Sequence, residues 1–157
     1  MLEEGIFDIH CHIVPGVDDG AADIEETRKL LEMEYKQGVR NIILTPHFRF
    51  QMFETPLEKV QRQFRLAEEA AADISKDLHL YLGCEFHANM EMLPMLREKK
   101  VSTMAGSRYV LVEFSHNSEA SYIREGESGV THICGSLGRN IRLPCLHSLK
   151  KLMVQPM

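Results

Sequence analysis

Residues 7–21 read FDIHCHIVPGVDDGA and combine a short apolar strand with several metal-capable side chains. His10 and His12 stand two residues apart, so in an extended strand both imidazoles point to one side and can reach one ion. Asp18 and Asp19 follow in the loop, where such a pair before a glycine is also typical of a turn or helix start. We take Asp19 as the ligand candidate and predict that the first strand ends in a metal site.

The chain around this stretch alternates between strand-like and helix-like segments. Four short apolar runs are predicted strands: IFDIH (6–10), VRNIILTPH (39–47), LHLYLGCE (78–85) and SRYVLVEFS (107–115). Strands separated by helices favour parallel pairing through right-handed crossover connections. The sequence therefore predicts an α/β fold with about four parallel strands.

Two amphipathic helices are predicted between these strands. The first begins after Asp23, a candidate N-cap, and stops at Gly38. The second has the clearest start signal, with Thr55 as N-cap, Pro56 as first helical residue and Glu58 completing a capping box. Its apolar spacing continues to about residue 75.

The later strands also end in metal-capable residues. His47 ends the second, Glu85 ends the third, and Glu113 lies near the end of the fourth. Because parallel α/β folds collect functional groups where strands end, we expect these side chains to share one rim with His10 and His12. Imidazole and carboxylate ligands together suit Mn²⁺, Fe²⁺ or Zn²⁺ better than Mg²⁺ or Ca²⁺. The pattern predicts a hydrolytic centre with more than one metal ion.

The remaining histidines are interpreted as ordinary surface or loop residues: His79, His87, His116, His132 and His147. Among them, His116 stays a reserve ligand candidate because it follows the fourth strand closely. The four cysteines show no CxxC spacing, so neither a disulfide framework nor a zinc knuckle is expected.

The chain has 157 residues and a net charge of −5. Its length and composition are typical of a single soluble globular domain. The negative charge argues against nucleic-acid binding through a general basic surface. No apolar run approaches the ~20 residues that span a bilayer, so no membrane insertion is expected. The N-terminus lacks a signal-peptide pattern, and we expect a cytoplasmic protein.

The last thirty residues differ in composition from the rest of the chain. All 23 acidic residues lie at or before Glu127, whereas residues 128–157 contain none and hold four basic residues. This tail is interpreted either as a basic interaction segment or as a stretch that was never selected to fold, as after a frameshift.

Five stretches carry a resemblance to a known family: DIHCHIVPGVDDGA, the strand-ending TPH, MFETPLEK, LGCE and SRYVLVEFS. They resemble the PHP (polymerase and histidinol phosphatase) superfamily, and within it the bacterial tyrosine-protein phosphatases of capsular and exopolysaccharide operons, the CpsB/CapC/YwqE group. The resemblance implies a distorted β/α barrel with up to three divalent metals, manganese first and iron or zinc as alternatives. It also implies a substrate, the phosphotyrosine segment of a bacterial tyrosine autokinase that regulates polysaccharide export.

The resemblance further implies a role for each candidate residue. It assigns the metal ligands as follows: His10 and His12 to a first ion, Glu85 bridging the first and second, Glu113 to the second, and Asp19 with His47 to the third. The metals would activate water for attack on phosphorus and stabilise the phosphoryl oxygens. Arg49 is a candidate contact for the substrate phosphate.

The resemblance runs from residue 6 to about residue 124. Family members continue with a His-x-Glu-Arg segment and an Asp-x-His segment, and neither follows here. We therefore expect part of a barrel in 1–124 and a non-matching, irregular tail in 125–157 from truncation or a frameshift. Full phosphatase activity is not expected of such a chain. The alternatives are another PHP or amidohydrolase-like metal phosphoesterase, such as a histidinol-phosphatase relative, and a non-catalytic fragment.

Overall fold

The computed structural model describes residues 5–114 and 133–136 of the chain. Within these ranges the strands are β1 (Ile6–Cys11), β2 (Val39–Leu44), β3 (His47–Phe48), β4 (His79–Leu82), β5 (Glu85–His87), β6 (Val110–Glu113) and β7 (Ile133–Ser136). The helices are α1 (Ile24–Lys36), α2 (Leu57–Ile74) and α3 (Met92–Arg97), with a 3₁₀ turn at Met104–Gly106. No helix in the described ranges is long and apolar enough to cross a membrane.

The strands pair in two groups, β1-β2-β4 and β3-β5-β6-β7, and every pair is parallel. The two groups continue one another, because β2 leads into β3 and β4 into β5 after two residues. The register is unchanged across this junction, since Leu44 opposes Leu82 and His47 opposes Glu85. The predicted α/β class with parallel strands is confirmed, and the strand order follows the sequence.

Pro46 explains why the sheet divides. The hydrogen-bond ladder crosses the junction, with the Gly83 N–H donating to the Leu44 carbonyl at 2.7 Å and the Glu85 N–H to the Pro46 carbonyl at 3.0 Å. Pro46 has no N–H to donate in return, so one rung of the ladder is missing. The second and third predicted strands each become two short strands for this reason.

Strand β7 lies in the segment expected to be an irregular tail. It pairs with β6 in parallel, with Val110 opposite Ile133 and Glu113 opposite Ser136. The expectation of an irregular tail is therefore wrong for residues 133–136. An acid-free composition does not prevent ICGS from pairing, because parallel strands are joined by main-chain N–H and C=O groups.

Helix α1 begins as the sequence predicts. The Asp23 carboxylate accepts the Glu26 N–H at 2.9 Å, and the Glu26 carboxylate accepts the Ala22 N–H at 2.9 Å. These bonds satisfy N–H groups that a helix start leaves without partners. Gly38 follows the helix with φ of +93°, a conformation that glycine adopts without a steric penalty.

Helix α2 begins differently from the prediction. Its first residue is Leu57, and no side chain caps it. The Thr55 hydroxyl instead donates to the Val17 carbonyl at 2.7 Å. The predicted capping box is wrong because a tertiary contact engages the hydroxyl, and that contact ties the start of α2 to the loop between β1 and α1.

Two hydrophobic clusters hold the helices against the sheet. The larger joins β1, β2 and β4 to α1 and α2, with Leu31, Ile42 and Leu44 fully buried at its centre. A second cluster joins β5 and β6 to α3 around Phe86 and Val112. Each such buried side chain contributes about 1.5–3 kcal/mol relative to exposure, so the packing keeps the strand ends in place.

Candidate metal centre

The carboxyl end of β1, the loop that follows it and the first residues of β3 and β5 bring five predicted ligands together. Strand register accounts for one contact, because His47 and Glu85 are direct partners in the β3–β5 pair. Two groups of potential ligand atoms result, each lying within 4.8 Å of one another: His10, His12 and Glu85 in the first, and His12, Asp19 and His47 in the second. The structure thus brings these five residues together, whereas Glu113, which the sequence predicts for the same rim, belongs to neither group.

Glu85 stands at the centre of the first group. Its side chain is only 4% exposed, and Oε2 lies 2.9 Å from His10 Nε2 and 3.2 Å from His12 Nε2. His47 Nδ1 approaches the same oxygen at 3.4 Å and is buried without a hydrogen-bond partner. Three imidazole nitrogens therefore face one carboxylate oxygen, and bound cations would satisfy these facing groups.

The charges of this group reinforce one another. Burial opposes ionisation of Glu85, but hydrogen bonds from His10 and His12 outweigh it and lower the pKa to about 2. Burial also opposes protonation of His12, but hydrogen bonds to Asp18 and Glu85 raise its pKa to about 9. The carboxylate is therefore ionised at neutral pH, as a metal ligand must be.

Asp18 is the residue of this site that the sequence interpretation passed over in favour of Asp19. Its side chain is fully buried, and it accepts hydrogen bonds from His12 Nδ1 at 3.0 Å, the His47 N–H at 2.8 Å and the Gly20 N–H at 3.0 Å. Burial opposes its ionisation, yet these bonds hold its pKa below the ordinary value. The adjacent pair of aspartates was the available signal, but only the fold shows which one is buried.

Asp19 takes the opposite position. Its side chain is 63% exposed, and Oδ1 lies 3.7 Å from His47 Nε2. His47 also packs its ring against His12, with centroids 4.4 Å apart, and against Phe53, with centroids 5.5 Å apart and planes 12° from parallel. The second group is therefore more open to solvent than the first.

The donor set fits divalent transition metals. Both groups combine imidazole nitrogen with carboxylate oxygen, which suits Mn²⁺, Fe²⁺ and Zn²⁺. The buried and unpartnered Nδ1 of His47 gives independent support, because such an atom is costly unless a ligand satisfies it. The residues present thus fit the metal-dependent chemistry that the resemblance implies.

Two other predicted site residues lie outside both groups. Glu113 ends β6 opposite His87 and belongs to neither set of ligand atoms. Arg49 directly follows β3, and its main chain exchanges hydrogen bonds with Phe53. Burial lowers the pKa of His87, and the positive charge of Arg49 lowers it further. His87 is thus a partly buried strand residue, not the surface or loop histidine that was expected.

The other histidines and the cysteines add no ligand within the described residues. His79 is exposed at the start of β4, as expected. His116, His132 and His147 lie outside the described ranges. Burial raises the pKa of Cys84 and of Cys11, so both thiols stay protonated at neutral pH.

Comparison with known proteins identifies a family and named relatives. Residues 6–142 match the family model described as "Capsular polysaccharide synthesis, CpsB/CapC". The chain is 41% identical to tyrosine-protein phosphatase CpsB of Streptococcus pneumoniae over 80% of its own length and 51% of the relative's. It is 28% identical to tyrosine-protein phosphatase YwqE of Bacillus subtilis over 76% of its own length and 47% of the relative's.

A solved structure shares the fold. It is one of the crystal structures of YwqE from Bacillus subtilis and CpsB from Streptococcus pneumoniae, described as "unique metal-dependent tyrosine phosphatases". The TM-score is 0.69 at 27% identity, over 76% of this chain and 49% of that chain. The chain thus spans about half the length of the relatives that it matches. Since the family model covers most of its residues, the chain belongs to the CpsB/CapC family of capsular polysaccharide synthesis proteins.

Proposed function

We propose that this chain carries the metal-binding part of a metal-dependent protein-tyrosine phosphatase that acts in capsular or exopolysaccharide regulation. The observation that carries the proposal is the convergence of three imidazole nitrogens on Glu85 Oε2. Relatives named tyrosine-protein phosphatases support the reaction class, and the family description supports the pathway.

The proposed ligands follow the two groups of donor atoms. His10, His12 and Glu85 would hold one ion, and Asp19 with His47 would hold another, with Glu113 proposed for a further ion of the complete centre. Manganese is the first metal to test, and iron and zinc are the alternatives. When bound, such ions acidify water and neutralise charge on phosphoryl oxygens.

The chain's own residues would bind and orient the substrate. Arg49, directly after His47, is proposed to contact the phosphate, since a guanidinium pairs with two phosphate oxygens at once. The first group is open on one side, because the His10 side chain is 35% exposed. An open rim suits a phosphotyrosine carried on another protein, and the proposed partner is the phosphotyrosine segment of a bacterial tyrosine autokinase.

The parallel strands in sequence order are proposed to form one wall of a distorted β/α barrel. In such a wall neighbouring strands run in one direction and in register, which places His47 and Glu85 side by side near the end of β1. The similarity to a solved phosphatase structure with a TM-score of 0.69 supports this proposal.

The test measures both metal content and substrate choice. The purified chain is stripped with EDTA, reloaded with Mn²⁺, and assayed for phosphate release from a phosphotyrosine peptide, a phosphoserine peptide and histidinol phosphate. We expect bound metal and a rate of phosphate release well below that of a full-length relative, because the chain spans about half of such a relative. The phosphotyrosine peptide should be preferred, and His12→Ala should lose both metal and turnover. Preference for histidinol phosphate would identify another phosphoesterase, and absence of bound metal would identify a non-catalytic chain. Metal binding without turnover of any substrate would contradict phosphatase activity of this chain.

A further inference from the structure

Asp18 is a buried carboxylate whose two oxygens accept three hydrogen bonds. Oδ2 accepts from His12 Nδ1 at 3.0 Å and from the His47 N–H at 2.8 Å, and Oδ1 accepts from the Gly20 N–H at 3.0 Å. A buried charge is tolerated only where hydrogen bonds replace its hydration. Since its oxygens already accept these three hydrogen bonds, Asp18 is less available to an ion than the exposed Asp19.

The bond to His12 decides which imidazole nitrogen is free. A neutral imidazole carries one N–H and one lone pair, on different nitrogens. The carboxylates of Asp18 and Glu85 face Nδ1 and Nε2 respectively, so without a metal His12 can carry a proton on each nitrogen. A cation at Nε2 would replace the proton there, and the acceptor-only carboxylate of Asp18 then keeps the remaining proton on Nδ1. Nε2 is the atom that lies 3.2 Å from Glu85 Oε2, so the lone pair points into the first ligand group.

From this geometry we infer that Asp18 is a positioning residue that holds His12 in its Nδ1–H tautomer and anchors His47 to the loop between β1 and α1. The inference rests on the metal centre proposed above. A carboxylate behind a ligating histidine fixes both the ring orientation and the basicity of the free nitrogen. Here one carboxylate serves both ligand groups, by the side chain of His12 and by the backbone of His47.

The inference also assigns His12 to one ion. With Nδ1 engaged by Asp18, His12 offers a single ligand atom, and that atom faces Glu85. His12 therefore belongs to the group of His10 and Glu85. Asp19 and His47 remain as the described ligands of the second group.

The experiment compares Asp18→Ala and Asp18→Asn with the wild type by Co²⁺ titration of the metal-free chain, followed by visible absorption. We expect Asp18→Ala to bind Co²⁺ about 10–100-fold more weakly, which is the loss typical when a residue that hydrogen-bonds to a metal ligand is removed. Asp18→Asn keeps one oxygen that can accept from both His12 and His47, so its loss should be smaller. Asp23→Asn, an exposed helix cap nearby, is the matched control and should bind as the wild type does.

A spectroscopic readout separates positioning from simple destabilisation. In ¹⁵N NMR spectra of the Zn²⁺-loaded wild type, His12 should show a protonated Nδ1 and a metal-bound Nε2. If Asp18→Ala does not fold, the affinity of Asp18→Asn and this spectrum decide the matter. Wild-type Co²⁺ affinity in a folded Asp18→Ala, an equal loss in Asp23→Asn, or ligation through Nδ1 would overturn the inference. None of these measurements uses a phosphorylated substrate, so a chain without phosphatase activity would contradict the proposed function alone.

Discussion

His47 and Glu85 are direct partners across two parallel strands, and their side chains bring Nδ1 and Oε2 to 3.4 Å. The two residues are far apart in sequence, so only the register of β3 against β5 creates this contact. His10 and His12 reach the same oxygen from the end of β1. The contacts at the centre of the site therefore depend on strand alignment, and single substitutions should measure what each residue contributes to metal binding and stability.

Replacing Glu85 should remove the first metal site. Glu85→Gln keeps the shape of the side chain but supplies no charge, so we expect the affinity for Mn²⁺ or Co²⁺ to fall by at least about 100-fold. This loss exceeds the loss typical when a residue that only hydrogen-bonds to a metal ligand is replaced. Metal content after gel filtration, measured by mass spectrometry, checks this. Glu58→Gln, in the exposed first turn of α2, is the matched control and should retain its metal. Equal metal content in the two variants would contradict the assignment.

Stability of the metal-free protein should decrease as the pH rises past neutrality. His12 has a pKa of about 9 against an ordinary value of 6.5, so it binds protons more tightly in the folded state. Its stabilising contribution is complete below pH 6.5 and is lost as the pH rises through 9, by roughly 3 kcal/mol in total. Urea unfolding in EDTA at pH 6, 7.5 and 9.5 measures the loss.

His12→Gln provides the reference for that experiment, because it removes the titrating ring while other groups still titrate. The difference in unfolding free energy between wild type and His12→Gln should shrink as the pH rises. A difference that stays constant from pH 6 to 9.5 would show that the His12 interactions with Asp18 and Glu85 do not stabilise the fold.

Gly20 should tolerate no side chain. A Cβ at this position would lie 2.1 Å from the main-chain oxygen of His12, a contact with backbone that cannot move aside cheaply. We expect Gly20→Ala to lower the unfolding free energy by about 3 kcal/mol or more. Gly106→Ala is the control: its φ is +69° but nothing lies within 4 Å, so about 1–2 kcal/mol is expected. Thermal denaturation of both variants gives the comparison, and a milder effect at Gly20 than at Gly106 would refute it.

Phe53 should contribute to metal binding by holding the ring of His47. The two rings stack with centroids 5.5 Å apart and planes 12° from parallel. Phe53→Leu keeps an apolar side chain but loses the flat contact, so we expect the affinity of the more weakly bound ion to fall by about 10-fold. Phe50→Leu changes an exposed ring of the same loop and should leave Co²⁺ binding unchanged. Identical titration curves for the two variants would argue against a role for the stacking.

Several features of this protein follow from local sequence alone. The apolar runs and the helix start at Asp23 predict strands and the first helix correctly. The spacing of His10 and His12 predicts that both side chains approach one point, and both rings approach Glu85. These features depend on interactions among residues close in the chain, such as the bond from the Glu26 N–H to Asp23. The alternation of strand and helix was also sufficient to predict parallel pairing.

Other features depend on tertiary contacts, which local patterns do not encode. Thr55 has the sequence of an N-cap, but its hydroxyl bonds to Val17 instead. Asp18 and Asp19 are adjacent and chemically identical, yet the fold buries one behind His12 and leaves the other exposed beside His47. The sequence by itself determined which residue types meet at the rim. The three-dimensional packing decided which of the two neighbouring carboxylates is buried from solvent, because burial depends on the surrounding chain and not on the residue itself.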